Sequence, residues 1–360
     1  MKTSRVHTHG CPAFVPVALF GWLAILQRMQ EEGGEDELLP EEARSWIEAR
    51  RASCVTRLEA LPGGAGARRY VRVRLADGTS LIWMHARGED PELLPPGLRN
   101  PSTELPFVAV TELLARAGLP VPELFGVAHE QQWVLLEDLG DQHLCDLPHS
   151  ERLVRQREAV DLLARVHSLP HDNSLPFSRV FDEEWIRFEL NHFLAHGIPG
   201  PLRGRLASAL ETLIRDIAAL PRTLCLRDFQ SQNLMIDARG HLRILDYQDA
   251  LLAPPELDLA ALLYDSYVEL SDEERTQLLT HYASHRGEGA DPDRLTLLVV
   301  QRKCKDYARF RYLSRVKHDA RFAPYERTAR EAVLSTLPSL PAGLHGLGTL
   351  LVEALNSNPA

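Results

Sequence analysis

Two runs of alternating or mostly apolar residues mark the first structured part of the chain. Residues 71–75 read Val-Arg-Val-Arg-Leu, and residues 80–84 form a second apolar-rich run after Asp77-Gly78. Strict alternation places apolar side chains on one face of a strand, and Asp-Gly is a strong signal for a tight turn. The pattern predicts a β-hairpin. A third run, 133–140, predicts a buried strand that leads into a connecting segment.

Apolar residues recur at helical spacing through most of the remaining chain. A spacing of three and four residues predicts amphipathic helices, and it occurs in residues 42–61, 106–117, 151–169, 272–283 and 294–312. Ser271 and Glu274 have the spacing of a capping box, which would start the fourth of these helices. Strands that precede a long helical part predict an α+β fold, β-rich at the N-terminal side and mostly helical after it.

The stretch 225–249 carries the clearest chemical signal. Asp228 and Asn233 lie five residues apart, and an apolar run, a turn at Gly240 and a second apolar run ending on Asp246 follow. This predicts a loop and a β-hairpin with a carboxylate at its far end. Phosphoryl transfer from a nucleotide needs one carboxylate to orient the attacking hydroxyl, and an amide and a second carboxylate to hold Mg²⁺. We therefore predict Asp228 as the catalytic residue and Asn233 and Asp246 as metal ligands; the alternative is an ordinary hairpin with solvated carboxylates.

A glycine-rich segment precedes the first predicted hairpin. Backbone N–H groups of such a segment can approach phosphates, and arginines add positive charge. Gly64, Gly66, Arg68 and Arg69 are accordingly predicted to bind nucleotide, although the glycines could also simply relax a loop. The strand predicted over 80–84 contains no lysine to pair with the phosphates, so we expect Arg68 or Arg69 to supply that charge.

Composition narrows the class of function. With 360 residues and 44% apolar content, the chain can bury a large core and build two lobes. A formal net charge of -10 argues against a general nucleic-acid binder and favours a small-molecule substrate. The five scattered cysteines suggest neither a disulfide framework nor a zinc site, and so a reducing compartment. The histidines show no motif that predicts a metal site; this holds for His167, His171, His192, His196, His281 and His285.

The first residues are ambiguous. Residues 12–26 form an apolar run after Lys2 and Arg5, which superficially resembles a secretory signal, but the run is short for a membrane span and has no clear cleavage site. Our interpretation is that Met29 is the natural start, with a membrane anchor as the alternative.

The segments 226–235 and 244–250 resemble the aminoglycoside phosphotransferase and choline kinase superfamily. Within it they most resemble the cell-wall amino-sugar kinases that phosphorylate the anomeric hydroxyl of N-acetylmuramate and N-acetylglucosamine, and the run Asp-Tyr-Gln-Asp-Ala at 246–250 is the more telling piece. The resemblance implies a bilobal protein-kinase-like fold, with an N-terminal extension at 1–40, an N-lobe at 41–140, a helical C-lobe at 141–335 and a tail at 336–360. Leu226 and Gln230 depart from the family, which tends to have histidine at both places.

Further site residues follow from the resemblance. Glu137 and Leu139 would lie at the adenine edge, and Glu189 would contact a sugar hydroxyl. Gln248 and Asp249 would face the acceptor, while Arg227 and Asp258 would support the catalytic loop. The basic residues between 302 and 315 either bind the carboxylate of an acidic sugar or form a solvated helix face.

The resemblance also implies the reaction. It is transfer of the ATP γ-phosphoryl group, with Mg²⁺, to an amino sugar during peptidoglycan recycling in the cytoplasm, without a nucleic-acid or stable membrane partner. Two alternatives stay open. One is a kinase for another small molecule, such as an aminoglycoside or an amino-alcohol. The other is a weakly catalytic nucleotide-binding regulator, which the missing lysine would favour.

Overall fold

The fold was analysed in a computed structural model that describes residues 38–61, 68–86 and 105–357. Gly64, Gly66 and the apolar run 12–26 lie outside these residues. The chain divides into two compact units, one formed by residues 1–61 and 71–80 and the other by residues 62–70 and 81–360. None of the described helices combines the length and apolar content that a membrane crossing requires.

The first unit contains helix α1 (Glu41–Arg51), strand β1 (Val55–Leu61) and most of strand β2 (Arg69–Leu75). Helix α1 ends because Ala52 adopts a left-handed conformation, with φ of 51°. The prediction of one helix over 42–61 is therefore wrong after Arg51; the β-branched residues that follow favour a strand. The predicted turn at Asp77-Gly78 is confirmed, with Gly78 at φ of 86°.

The second unit begins with three antiparallel strands. Strand β3 (Ser80–His85) pairs with β5 (Trp133–Glu137), and β5 pairs with β4 (Leu124–Ala128). Helix α2 (Pro106–Arg116) precedes β4 and places Phe107 in a stack on Tyr247, with ring centroids 5.3 Å apart. This contact fixes α2 against the residue that follows Asp246.

Helices make up most of the rest of the second unit. They are α3 (His149–His167), α4 (Glu183–Gly197), α5 (Gly200–Ala218), α6 (Glu256–Leu263), α7 (Asp272–Arg286), α8 (Pro292–Arg311), α9 (Ala323–Thr336) and α10 (His345–Asn356). The capping box of Ser271 and Glu274 at the start of α7 is confirmed. Helix α10 lies in the segment assigned to a tail, where Leu351 and Leu355 are fully buried.

Helix α8 lies at the centre of the helical part. It packs against α4, α6 and α9, and most of its residues are buried. A helix that is enclosed on every side normally carries apolar residues all round, yet α8 also buries Arg302 and Lys303. These charges need partners inside the protein: Arg302 pairs with Asp228 of the catalytic stretch, and Lys303 pairs with Asp306 of the same helix.

Two short β-pairs hold the catalytic stretch. Strand β6 (Thr223–Cys225) pairs with β9 (Leu251–Ala253), and β7 (Leu234–Ile236) pairs with β8 (Leu242–Ile244). The predicted hairpin is thus confirmed, with Gly240 at φ of 81° in its turn. Asp228 follows β6 and Asp246 follows β8, so both carboxylates lie where a strand ends.

Candidate active site

The loop that carries Asp228 is pinned by a buried carboxylate. Asp258, in the first turn of α6, accepts hydrogen bonds from the backbone N–H groups of Leu226 and Arg227, both at 2.7 Å. His167 Nε2 lies 3.2 Å from the same carboxylate. Arg227 has φ of 72°, a left-handed conformation that costs a non-glycine residue free energy and persists only where its surroundings fix it. The fixed backbone determines where the next residue, Asp228, points.

The three residues predicted from spacing lie together. The side-chain N–H₂ of Asn233 donates to the backbone oxygen of Asp228 at 2.8 Å and to Oδ2 of Asp246 at 3.3 Å. Nδ2 of Asn233 donates both of these hydrogen bonds. The network therefore identifies the other amide atom, Oδ1, as the one that could bind a metal ion. An amide oxygen and a carboxylate are the hard oxygen ligands that Mg²⁺ prefers. The donor set therefore fits a magnesium ion held by Asn233 and Asp246.

Asp246 is also in a left-handed conformation, with φ of 57°. Its Oδ1 accepts a hydrogen bond from Gln248 Nε2 at 2.9 Å and lies 3.3 Å from Nη1 of Arg68. The Asp246 side chain is 45% exposed. Arg68 therefore lies beside the predicted metal ligand, whereas Arg69 is an exposed residue at the start of β2.

Cations surround Asp228. Its Oδ1 lies 3.0 Å from Nη2 of Arg302 and 3.2 Å from Nζ of Lys305, and Arg227 Nη1 lies 3.9 Å from Oδ2. Burial alone would raise the pKa of Asp228, but the charges of Lys305, Arg227 and Arg302 outweigh it and hold the pKa well below its usual range. Asp228 is therefore ionised throughout the neutral range and acts as a hydrogen-bond acceptor.

Glu189 has a different environment from the one expected. It is buried; Oε1 accepts from Trp185 Nε1 at 3.1 Å and from Arg227 at 2.8 Å, and Oε2 accepts from Gln301 at 2.7 Å. Glu189 thus holds Arg227, which in turn donates to Asp249 at 3.2 Å. Contact of Glu189 with a sugar hydroxyl stays a prediction.

The other predicted residues are placed as follows. Gln248 is buried, bridges Asp246 and Asp249 through Nε2, and has no hydrogen-bond partner for Oε1 within the described chain. The Glu137 carboxylate forms an ion pair with Arg243, and this charge, against the effect of burial, lowers the pKa of Glu137. Leu139 is buried just after β5. The Glu137 side chain is thus occupied by the protein, so a nucleotide would contact the backbone in this segment.

Arg302 and Lys305 belong to the basic run noted in the sequence, but the sequence did not predict that they contact Asp228. They lie three residues apart on α8, and this spacing places both on one face of a helix. The sequence displayed the basic run but not its burial, and Arg302 and Lys303 are each only 1% exposed. Of the two interpretations of this run, a solvated helix face does not describe Arg302 and Lys303, and an anion site stays a prediction.

Comparisons with known proteins give the family of the chain. Residues 57–298 match the family described as the phosphotransferase enzyme family, APH. An N-acetylmuramate/N-acetylglucosamine kinase of Pseudomonas aeruginosa is 31% identical over 65% of this chain and 66% of that protein. One from Neisseria meningitidis serogroup B is 28% identical over 61% and 64%, respectively. The matched part therefore spans less than two thirds of either relative.

Solved structures give the fold. The choline kinase LicA from Streptococcus pneumoniae superposes with a TM-score of 0.62 at 17% identity, covering 82% of this chain and all of that chain. Spectinomycin phosphotransferase APH(9)-Ia, solved with ADP and spectinomycin, gives 0.58 at 12% identity, covering 87% and 98%. At such identities the likeness concerns the fold alone, and it confirms the predicted protein-kinase-like α+β fold. With two thirds of its length matched by the family model, the chain belongs to the phosphotransferase enzyme family.

Proposed function

We propose that this protein is an ATP- and Mg²⁺-dependent small-molecule kinase that phosphorylates the anomeric hydroxyl of N-acetylmuramate or N-acetylglucosamine. The observation that carries the proposal is that the side-chain amide of Asn233 joins the other two residues: it donates to the backbone oxygen of Asp228 and to the carboxylate of Asp246. The curated names of the relatives from Pseudomonas and Neisseria support the choice of acceptor. Peptidoglycan recycling in the cytoplasm is the process in which such a reaction would serve.

The residues would divide the work as follows. Asn233 and Asp246 would hold Mg²⁺, which when bound neutralises charge on the nucleotide phosphates. Arg68, beside Asp246, would provide a cation on the phosphate side in place of the missing strand lysine. Asp228 would accept a hydrogen bond from the acceptor hydroxyl and orient its oxygen for attack. A carboxylate with a depressed pKa is a weak base, so its contribution is orientation more than early proton removal.

The charges beside Asp228 favour an acidic acceptor. Lys305 lies next to Asp228, and burial together with the charges of His196, Arg309 and, to a smaller extent, Lys305 lowers the pKa of His192 to about 4. Burial is the first cause of this shift, and the direct source of a positive potential is the set of cations Arg302, Lys305 and Arg227, which lie 3.0, 3.2 and 3.9 Å from the Asp228 carboxylate. Such a potential would attract the carboxylate of N-acetylmuramate and repel a polycationic aminoglycoside.

The test is Mg²⁺-ATP turnover on N-acetylmuramate, N-acetylglucosamine, an aminoglycoside and choline, with the product identified by phosphorus NMR. We expect an anomeric phosphate on an amino sugar, with N-acetylmuramate the better substrate. Turnover on choline or an aminoglycoside alone would overturn the acceptor assignment. ATP binding without turnover on any of them would favour the regulator alternative.

A further inference from the structure

A histidine pair on the outer face of α7 lies outside the site described above. His281 and His285 are one helical turn apart, with ring centroids 4.5 Å from each other. Asp161, on the neighbouring helix α3, reaches both rings: its Oδ1 lies 2.8 Å from Nε2 of His281 and 3.3 Å from Nε2 of His285. One carboxylate and two imidazoles thus point their ligand atoms at a common point.

The hydrogen bonds around this cluster leave those atoms in need of a cation. Nδ1 of His285 lies 3.0 Å from the backbone oxygen of His281, so it is placed to donate there and to leave a lone pair on Nε2. That lone pair faces a carboxylate oxygen. Nε2 of His281 and Oδ1 of Asp161 are shielded from solvent, and neither makes a hydrogen bond within the described part of the chain. For His285, whose Nε2 lone pair faces Asp161 Oδ1, a proton or a metal ion between the two acceptors would stabilise the contact.

The geometry suits a metal ion of the zinc class. Zn²⁺ binds imidazole nitrogen and carboxylate oxygen at about 2.0–2.2 Å, so two ligands of a tetrahedral ion lie about 3.4 Å apart. The separation of 3.3 Å between His285 and Asp161 already has this value, and that of 2.8 Å to His281 needs a shift of about half an ångström. The bond from Nδ1 to a carbonyl is also the usual support of a metal-binding histidine.

We propose that Asp161, His281 and His285 form a binding site for a divalent transition metal, with Zn²⁺ as the typical occupant. The three side chains are 40%, 29% and 47% exposed, so the cluster lies at the protein surface although the facing atoms of Asp161 and His281 are covered. Imidazole ligands disfavour Mg²⁺ and separate this site from the predicted catalytic metal. A bound ion would join α3 to α7.

The chain offers an internal comparison. His192 and His196 on α4 form a second pair with ring centroids also 4.5 Å apart. Among the described residues no carboxylate or thiol completes a three-ligand group with them, and the third ring beside them is that of Tyr312. Both pairs therefore have two histidines one helical turn apart. Of these two pairs, the pair on α7 has a third ligand, Asp161. The sequence could not display this, because Asp161 comes from a distant helix.

The experiment is titration of EDTA-treated full-length protein with ZnCl₂, by calorimetry and by equilibrium dialysis. Wild type should bind one more Zn²⁺ per chain than Asp161→Asn and His285→Gln, or bind it at least about tenfold more tightly. His196→Gln is the matched control and should bind like wild type. Wild type and variants share all other histidines, cysteines and catalytic carboxylates. The difference between them therefore measures only the Zn²⁺ bound at the proposed site.

Two further measurements keep the proposal independent of the kinase assignment. Co²⁺ should give a visible absorption band in wild type that is absent in Asp161→Asn and His285→Gln, and this needs neither ATP nor acceptor. Zn²⁺ should raise the Tm of wild type more than that of the two variants. Equal Zn²⁺ stoichiometry and affinity in wild type, Asp161→Asn and His285→Gln would overturn the proposal and leave a proton-linked ion pair.

Discussion

Asp228 and Asp246 are carboxylates of the same site, but the protein surrounds them differently. Asp228 is 20% exposed and has Arg302, Lys305 and Arg227 around it. Asp246 is 45% exposed, and its contacts are two amide groups and Arg68. We call Arg302, Lys305 and Arg227 the cation cage of Asp228. A carboxylate inside such a cage has a fixed position and a fixed charge, whereas a more exposed carboxylate is available to a metal ion. The difference supports the proposed division of roles, in which Asp228 orients the acceptor and Asp246 binds the metal.

The largest expected effect comes from removing either charge while keeping the shape. Asp228→Asn and Asp246→Asn should each lower kcat by roughly 10³-fold, since both groups act on the reacting atoms. Steady-state assays with Mg²⁺-ATP measure this. The exposed Asp216→Asn on α5 is the control and should match wild type. Near-normal kcat in either site variant would contradict its assigned role.

Removing Arg302 from the cation cage should lower the free energy of unfolding as well as the activity. Arg302 is buried and donates to Asp228 and to the backbone oxygen of Arg227, so Arg302→Met removes a charged donor from both acceptors and leaves Lys305 as the near cation of Asp228. Removal of one partner from a buried ion pair costs about 3–5 kcal/mol in the free energy of unfolding. Urea denaturation measures this loss.

A matched exposed arginine calibrates that result. Arg327 pairs with Glu331 one turn away, and its side chain is 68% exposed. Arg327→Met should change the free energy of unfolding by less than about 0.5 kcal/mol. If Arg302→Met changed the free energy of unfolding equally little, the cation cage would not stabilise the site.

A substitution of Arg68 tests the surroundings of Asp246, the more exposed of the two carboxylates. If it supplies phosphate charge beside Asp246, Arg68→Met should raise KM for ATP about tenfold, the effect of losing one charge-assisted hydrogen bond. KM for the acceptor should change little. Arg69→Met is the neighbouring control, and an equal rise in KM for ATP in that variant would remove the specific assignment to Arg68.

The smallest expected effect concerns Lys305 and pH. Its charge, with those of Arg227 and Arg302, lowers the pKa of Asp228 in the folded protein. A depressed carboxyl pKa contributes stability above the unfolded value of about 3.9, and this stability is lost as pH falls through the folded pKa. In Lys305→Met the folded pKa moves back toward the unfolded one.

Stability should therefore depend less on pH in Lys305→Met than in wild type below about pH 5, by about 1 kcal/mol or less because Lys305 is partly exposed. Urea denaturation between pH 3 and pH 7 measures the two curves. A steeper loss toward acid in the variant would contradict the assignment of Lys305 as a partner of Asp228.

Local patterns predicted much of the fold. The β7–β8 hairpin, the capping box at Ser271 and the long helices all follow from periodicity and turn chemistry within a few residues. The error over 42–61 has a local cause too, because the helical spacing continues past the left-handed residue Ala52 into a strand. Apolar spacing alone did not reveal that stop.

The site was predictable only in its contiguous part. Asp228, Asn233 and Asp246 lie within one short stretch, so local turn and strand patterns are enough to predict that they come together. The partners of Asp228 on α8 come from a distant part of the chain, and burial of Arg302 depends on how α8 packs against α4 and α6. The same reason explains Glu189, whose carboxylate was expected to face a sugar but is enclosed by Arg227, Trp185 and Gln301.

The most direct test of the account is Mg²⁺-dependent binding of ATP to wild type, Asp228→Asn and Asp246→Asn, measured by calorimetry with and without Mg²⁺. If Asp228 orients the acceptor and Asp246 holds the metal, Asp228→Asn keeps Mg²⁺-dependent affinity close to wild type. Asp246→Asn should lose at least about tenfold of that affinity. Equal losses in both variants, or a larger loss in Asp228→Asn, would contradict the division of roles between the two carboxylates.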